Sequence, residues 1–285
     1  MDATFADGSK EDVTWLCTFE AQDREIANVD AEGKVQARSV GDTSIVVRYG
    51  AEPVMAMIVV PRESTEKFPD VKPHNFIDEH VLAKLKQLNV PPSALCDDAT
   101  FLRRVSLDIV GMLPPPEEIR KFLADKATDK RGKKIDELLA RPEHATLWAT
   151  KFSDLLKASR FNGNYAMAET AETRRFHEWL RARVQENTPY DQLVERILLA
   201  TSREGRPTEE WLEEVMTLSM ENARQTPELT EYSKRKTLDL YWQRDEATGL
   251  KGTLQVAHAF LGLRLECAQC HRHPNDIWKQ DDLLS

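Results

Sequence analysis

Residues 101–125 read FLRRVSLDIVGMLPPPEEIRKFLAD and contain the end of one helix and the start of another. Apolar residues at three- and four-residue spacing predict a helix over 98–110, and Gly111 suits the left-handed conformation that ends many helices. The prolines at 115–116 favour a first helical turn, and the carboxylates at 117–118 interact favourably with the positive end of a helix dipole. The stretch therefore predicts two consecutive helices.

Similar signals recur through the rest of the second half of the chain. Apolar residues with helical spacing precede a double proline at 91–92, which ends a predicted helix. Further along the chain, prolines again mark the starts of predicted helices. These signals fall at Ile77, Val81, Leu85 and Leu88 for a first helix, and at Pro142, Thr188-Pro189 and Thr226-Pro227 for later helix starts. We therefore expect residues 76–285 to form a mostly α-helical domain.

The first 61 residues differ from the rest, because short runs with β propensity alternate with turn dipeptides there. The predicted strands lie at 26–30, 35–37, 43–49 and 54–60, with turns at Asp7-Gly8, Glu32-Gly33 and Val40-Gly41. Turn signals separated by about 8 to 12 residues are typical of a β-sandwich. We expect an all-β domain over 1–61 and a proline-rich linker over 62–75.

The composition and net charge of the chain argue against several classes of function. The 285 residues carry a net charge of −9 without a basic stripe, so binding to nucleic acid or to an anionic membrane is not expected. The longest apolar run, 54–60, is far shorter than the roughly 20 residues of a membrane-spanning helix. Nucleophile-elbow, phosphate-loop and dinucleotide-binding motifs do not occur, and we assign no catalytic residues.

Acidic residues are explained by helix structure rather than by catalysis. Adjacent carboxylates point to different helix faces or lie in first turns, and we expect them to be solvated helix caps. Such pairs occur at 117–118, 209–210, 213–214 and 281–282. Asp108 and Asp154 lie on helices with apolar periodicity, and we expect them to be buried as caps or paired with Arg103 or Arg104.

Near the C-terminus, the sequence CAQCHRHP contains the C-x-x-C-H pattern through which c-type haem is attached. The thiols of Cys267 and Cys270 have the spacing to form thioethers with the two vinyl groups of haem. The adjacent imidazole of His271 is then the proximal ligand of the iron. We therefore predict haem c held by these three residues.

The residues before the motif indicate which side chains are placed to bind the haem iron. A helix that continues through Phe260 and Leu263 places both thiols on one face, and we expect it to present the attachment groups together. On such a helix His258, nine residues before Cys267, lies about 180° away and is not expected to bind the same iron. His273 is too near the proximal histidine to reach the opposite side of haem. The iron is then five-coordinate or takes a sixth ligand through tertiary folding from Met216, Met220, His144 or His177.

Two other chemistries fit the same residues. In the first alternative the two cysteines of the motif form a local disulfide. In the second they bind zinc together with His271 or His273. A closed zinc site commonly takes a second ligand pair from a separate segment, and no second C-x-x-C or H-x-x-x-H occurs in the chain. Cys17 and Cys96 follow no pattern and are expected to be unpaired core residues.

The second half contains the stretches FIDEHVLAKL, FLRRVSLDIVGMLPPPEEIRKFLAD, TPYDQLVERILLA and AHAFLGLRLECAQCHRHPNDIWKQDD. Over essentially all of 76–285 they resemble the planctomycete cytochrome-like domain of unknown function, the PSCyt type. The resemblance implies that Cys267, Cys270 and His271 are functional residues. It also implies that the motif is completed by His273, Pro274, Asp276 and Trp278. Asn275 stands where similar proteins commonly have an aromatic residue.

The first half, in the order ATFADGSKEDVT, FEAQDREIANVDAEGKVQA and GDTSIVVRYGAEPVMAMIVVP, resembles the bacterial immunoglobulin-like group 2 domain over 3–61. Similar domains begin one strand earlier, and similar proteins continue past the WKQDD segment. We therefore expect a longer protein at both ends, with an export signal, because haem is attached to C-x-x-C-H outside the bacterial cytoplasm.

The function predicted from these features is electron transfer by an extracytoplasmic c-type haem protein to an unidentified partner. The alternative is a non-catalytic extracytoplasmic binding or scaffold protein, in which the motif forms a zinc or disulfide clip. No membrane span is expected in this chain.

Overall fold

Short antiparallel strands form much of residues 2–60 and helices form most of the remainder, which confirms the predicted order of a strand-rich part and a mostly helical part. The computed structural model describes residues 1–50, 52–65, 67–158, 171–221, 231–243, 249–269 and 278–281, with the backbone alone at 52, 218–221 and 267. The chain divides into two units, the first ending at Leu95 and the second beginning at Cys96. No helix in the described ranges is both long enough and apolar enough to cross a membrane.

The strands of the first unit pair with antiparallel neighbours. They are β1 (Asp2–Thr4), β2 (Lys10–Asp12), β3 (Thr18–Ala21), β4 (Ala27–Val29), β5 (Val35–Ala37), β6 (Gly41–Tyr49) and β7 (Glu52–Val60). Strand β6 lies between β3 and β7, while β1 pairs with β2 and β4 pairs with β5. Ile45 and Val47 of β6 pack with Val13, Cys17 and Ala21 in a buried apolar cluster. The strands predicted between residues 26 and 60 are therefore present, and Cys17 is an unpaired core residue as expected.

The first helix, α1 (Phe76–Gln87), belongs to the first unit. Asn75 caps it, because the side-chain oxygen of this residue accepts hydrogen bonds from two backbone N–H groups of the first turn. The backbone N–H of Arg62 donates to the carbonyl oxygen of Leu88 at 2.8 Å, just beyond the helix. The apolar spacing that predicts α1 does not lead to burial within this unit, since none of its residues is buried.

The second unit is built from helices. They are α2 (Asp98–Val110), α3 (Pro116–Ala124), α4 (Lys130–Leu139), α5 (Pro142–Leu155), α6 (Ala171–Gln185), α7 (Tyr190–Leu198), α8 (Thr208–Glu221) and α9 (Gly249–Leu261), with 3₁₀ turns at Glu231–Lys234, Asp239–Tyr241 and Glu266–Gln269. Helix α2 ends where the sequence predicts, at a Gly111 with a φ of 72°. The starts of α3, α5 and α7 also agree with their proline signals, whereas the predicted start at 226–227 lies outside the described residues.

The core of the second unit forms around α6. Phe176, Trp179 and Leu180 of this helix are fully buried and share one face, because they are three and four residues apart. They pack in one cluster with Ile197 of α7. The indole N–H of Trp179 donates to the backbone oxygen of Arg235 at 3.0 Å, so the buried ring keeps its polar group satisfied.

Candidate functional site

The segment that leads to the cysteine motif is anchored by α9. Val256, Ala259 and Phe260 of this helix pack against the core cluster around α6. The ring of Phe260 lies 6.1 Å from the ring of Tyr241, measured between centroids. One face of α9 is thus held against the core, and its other face is available to line a site.

Helix α9 ends just before Gly262, which corrects the prediction of one helix running into the motif. Gly262 has a φ of +67°, and the N–H of Leu263 donates to the carbonyl oxygen of Ala257 at 3.0 Å, so the chain turns back on the end of the helix there. The shared helical face predicted for Phe260 and Cys267 is therefore absent. The glycine itself was the available signal, because a left-handed residue after a helix is usually glycine.

The first cysteine of the motif lies in the 3₁₀ turn Glu266–Gln269. Its neighbour Ala268 is fully buried, and the Ala268 N–H donates to the carbonyl oxygen of Leu265 at 3.0 Å. The structure describes only the backbone of Cys267. Cys270, His271, His273, Pro274, Asn275 and Asp276 lie outside the described residues. The predicted haem and zinc ligands therefore stay predictions.

The described residues on the two sides of the motif are joined to each other. The side-chain amide of Gln280 donates to the backbone oxygen of Gln269 at 2.8 Å. Trp278, which the resemblance includes in the motif, is half-buried. The ends of the segment that contains the predicted ligands therefore lie close together.

A cavity of about 530 Å³ lies beside the 3₁₀ turn of the motif, and we refer to it as the α9 cavity. The lining residues that the structure describes are Lys157, Lys251, Leu254, Gln255, His258, Arg264 and Glu266. The four from α9 have the spacing i, i+3, i+4 and i+7, which places them on one helix face. Glu266, one of the lining residues, directly precedes Cys267 in the chain.

The lining of the α9 cavity is rich in positive charge although the chain as a whole is acidic. Lys157, Lys251 and Arg264 are cationic, and Glu266 is the carboxylate among the described lining residues, whereas the net charge of the chain is −9. Leu254 adds apolar surface to the wall. Such a lining suits a ligand with carboxylate groups, which cationic side chains bind through charge-assisted hydrogen bonds.

The other predicted candidates for a sixth ligand lie elsewhere in the second unit. His144 Nδ1 is 2.9 Å from the carbonyl oxygen of Ile109, and His177 Nε2 is 3.2 Å from Thr150 Oγ1. Met216 is 61% exposed, and the side chain of Met220 lies outside the described part. In contrast, His258 lines the cavity beside the motif, and the prediction that placed it far away rested on the continuous helix that is absent.

The burial and pairing of some acidic residues differ from the prediction. Asp108 and Asp154 are exposed, so their predicted burial is wrong. Glu118 is not a freely solvated cap, because its carboxylate accepts hydrogen bonds from Lys134 at 3.1 Å and from Arg141 at 3.0 Å. These three side chains form a mixed-charge cluster that joins α3 to α4 and to the start of α5.

A buried ionic network, which the sequence reasoning missed, centres on Arg235. Its guanidinium donates to the backbone oxygen of Ser202 at 2.7 Å and lies 3.4 Å from the Asp239 carboxylate and 3.6 Å from the Glu214 carboxylate. Tyr232 donates its hydroxyl to Asp239 Oδ1 at 2.6 Å. Burial, and next the Asp239 charge, raise the pKa of Tyr232 well above its usual value. Although Arg235 Nε makes no hydrogen bond within the described part of the chain, the charged groups are paired with one another, and we assign the network to the scaffold.

Comparisons with known proteins concern the same half of the chain as the motif. Residues 76–285 match the model of the PSCyt2 family, which is described as a protein of unknown function (DUF1549). No curated protein and no solved structure matches the chain. Among the described residues, no three His, Cys, Asp or Glu side chains are placed to hold a metal ion together.

Proposed function

The chain belongs to the PSCyt2 family through residues 76–285, and we propose that it is a c-type haem protein that transfers electrons outside the cytoplasm. The observation that carries this proposal is the C-x-x-C-H sequence at 267–271, whose first cysteine directly follows Glu266, a lining residue of the α9 cavity. The family has no established function, and so the chemistry of these residues is the basis of the assignment.

The α9 cavity offers cations that could bind the carboxylates of haem. Haem combines a large apolar ring with two carboxylates, and the cavity combines Leu254 with the cations of Lys157, Lys251 and Arg264. Its volume of about 530 Å³ falls within the range of about 300 to 1,000 Å³ common for ligand cavities. The two thiols and the imidazole of the motif therefore suit covalent haem attachment, whereas the described lining of the α9 cavity, with Leu254 as its apolar side chain, is more polar than a haem ring requires.

Each residue has a defined part in holding the group. Cys267 and Cys270 would form the two thioether bonds, and His271 would bind iron through an imidazole nitrogen. Lys251 and Arg264 would donate hydrogen bonds to the carboxylates and so orient the ring. Bound haem supplies one-electron redox chemistry, while the protein supplies attachment, orientation and electrostatics.

The first unit supports a location outside the cytoplasm. We propose that it is an immunoglobulin-like domain of the bacterial group 2 type, in line with the antiparallel order β3, β6, β7 and its small apolar cluster. Attachment of haem to C-x-x-C-H takes place after export, which indicates the periplasm or the cell surface. The redox partner would then be an extracytoplasmic protein.

Haem attachment is tested directly by expressing the chain with an export signal in a host that carries the haem-maturation machinery. We expect the purified protein to retain haem after denaturation, shown by peroxidase staining and by the pyridine haemochrome spectrum. Cys267→Ala and Cys270→Ala should each weaken covalent retention, because each removes one thioether bond. Cys96→Ala is the matched control, since this half-buried free cysteine lies far from the motif in sequence, and it should leave staining unchanged.

The same preparation separates the haem proposal from the clip alternative. A well-folded, exported protein without haem absorbance would contradict the proposal. One equivalent of zinc by elemental analysis would then identify a metal clip at the motif. Loss of two titratable thiols without metal would instead identify a disulfide.

A further inference from the structure

The cations of the α9 cavity are unpaired, unlike those of the mixed-charge cluster around Glu118. In the part of the chain that the structure describes, Lys157, Lys251 and Arg264 make no ion pair and no side-chain hydrogen bond. In the Glu118 cluster, by contrast, each cation pairs with a carboxylate. Three cations against one carboxylate give the described lining a net charge of +2 when His258 is neutral. An anion in the cavity would offset this mutual repulsion.

Lys157 occupies a position at which lysine is unfavourable. It follows α5 with a φ of +55°, a left-handed conformation that glycine usually adopts at a helix end. The N–H of Ala158 donates to the carbonyl oxygen of Ser153 at 2.8 Å, and Leu156 and Ala158 are both buried, so the core fixes the backbone there. A glycine would be unstrained at this position but would bring no charge to the cavity.

Lys251 is likewise placed against the preference of its helix. It lies in the first turn of α9, where the positive end of the helix dipole disfavours a cation. A bound anion would interact favourably with both the ammonium group and the helix end. The position that is unfavourable for the helix alone is therefore favourable for binding an anion.

The positive charges are spread along the cavity wall. Lys251 and His258 are seven residues apart, which separates them by about 10 Å along the axis of α9, and Arg264 follows the end of the helix that is nearer to His258. Leu254 and Gln255 lie between the two ends. A compact anion such as inorganic phosphate would meet the cation at one end, whereas two carboxylates joined by a short carbon chain would meet the cations at both ends.

We propose that the α9 cavity binds a small dicarboxylate between Lys251 at the start of α9 and Arg264 beyond its end, with Lys157 as the third cation. A guanidinium binds a carboxylate through two parallel hydrogen bonds, and an ammonium binds it as a point charge. The inference does not rest on the proposed haem function. Where haem is attached, its carboxylates would compete with the free ligand for Lys251 and Arg264.

Isothermal titration calorimetry of the full, haem-free chain tests the site. The probes are succinate, glutarate and adipate, which are dicarboxylates of increasing length, and the controls are butyrate and inorganic phosphate. We expect at least one dicarboxylate to bind at one equivalent and about tenfold more tightly than either control, because a second ion pair is formed. The binding should weaken as the concentration of sodium chloride rises.

Substitutions of the lining cations locate the binding. Lys251→Gln and Arg264→Gln should each weaken dicarboxylate binding by about three- to tenfold, since each removes one charge-assisted hydrogen bond. Lys126→Gln is the matched control, because Lys126 is also an exposed lysine of the second unit and does not line the cavity. It should bind like the parent chain, and circular dichroism verifies that each variant is folded.

The outcomes distinguish this inference from the proposed function. Equal affinities for the dicarboxylates and the two controls, or full binding by both lining variants, would overturn the inference. Weaker binding by the exported holoprotein than by the haem-free chain would support both proposals. Equal binding by the two forms would support the inference and contradict the part of Lys251 and Arg264 in orienting haem. Absence of binding by the haem-free chain would overturn the inference alone, since peroxidase staining tests haem attachment separately.

Discussion

Tyr232 shows how the interior of the second unit changes the properties of a single residue. Its hydroxyl donates to Asp239 Oδ1 at 2.6 Å and accepts the backbone N–H of Leu240 at 3.1 Å. Burial disfavours the charged phenolate, and the neighbouring Asp239 carboxylate disfavours it further, so the pKa of Tyr232 lies well above its usual value. The protonated phenol is therefore part of the folded state.

This pKa predicts a dependence of stability on alkaline pH. The unfolded chain releases the Tyr232 proton near the ordinary tyrosine pKa of about 10, whereas the folded chain keeps it to higher pH. The stabilisation tied to the protonated phenol is thus complete below about pH 10 and is lost as the pH rises further. The free energy of unfolding, measured by urea titration between about pH 8 and 12, should decrease above pH 10.

Tyr232→Phe is the control for that measurement. It leaves Asp239 without one donor and should cost about 1 to 3 kcal/mol at neutral pH. The alkaline loss should be smaller in this variant than in the parent protein, because one titrating group is gone. Equal slopes above pH 10 in the two proteins would contradict the prediction.

Among the elements, the end of α9 determines what surrounds the motif. Gly262 holds a φ of +67°, and a Cβ added there would meet no atom within 4 Å. A substitution at this position therefore tests backbone conformation without a steric clash. Gly132 in α4 has the same free space, because a Cβ there would also meet no atom within 4 Å. Its backbone conformation differs, since it lies within a helix.

We predict that the same substitution has opposite effects at these two glycines. Gly262→Ala should lower the free energy of unfolding by about 1 to 2 kcal/mol, because alanine is strained in the left-handed region. Gly132→Ala should raise it by about 0.5 to 1 kcal/mol, because alanine favours helix. Thermal and urea unfolding measure both values. A neutral Gly262→Ala would show that α9 does not end in the left-handed conformation.

Across the whole chain, the Arg235 network joins segments that are far apart in sequence. The backbone oxygen of Arg235 accepts hydrogen bonds from Trp179 and Arg183 of α6, while its guanidinium binds the loop after α7. The Asp239 carboxylate lies 3.4 Å from the guanidinium and is nearly fully buried. Arg235 thus connects α6 through its backbone oxygen and the loop after α7 and Asp239 through its side chain.

Removing this charge should destabilise the second unit strongly. Arg235→Met leaves the Asp239 and Glu214 carboxylates without their buried cation, which costs about 3 to 5 kcal/mol for a broken buried pair. The neighbouring Lys234 pairs with Glu231 at the surface, so Lys234→Gln should cost less than about 1 kcal/mol. Denaturant unfolding of the two variants gives the comparison, and similar costs at both positions would contradict a role for the buried network.

Local signals explain why much of the fold could be predicted from the chain. The end of α2 at Gly111 and the starts of α3 and α5 at proline depend on the backbone preferences of single residues. The strands between residues 26 and 60 follow from short β-type runs bounded by turns. The C-x-x-C-H motif is likewise local, and its spacing, together with the family resemblance, predicts haem chemistry.

Tertiary structure decided the surroundings of the site. Apolar spacing continues past Gly262 and predicts one helix running into the motif. Only the folded chain shows that the axis turns there and that His258 shares a cavity with Glu266. The Arg235 network pairs groups more than 30 residues apart, such as the guanidinium and the Ser202 carbonyl. Contacts of this range leave no periodic trace in a sequence, since they depend on how helices pack rather than on the conformation of neighbouring residues.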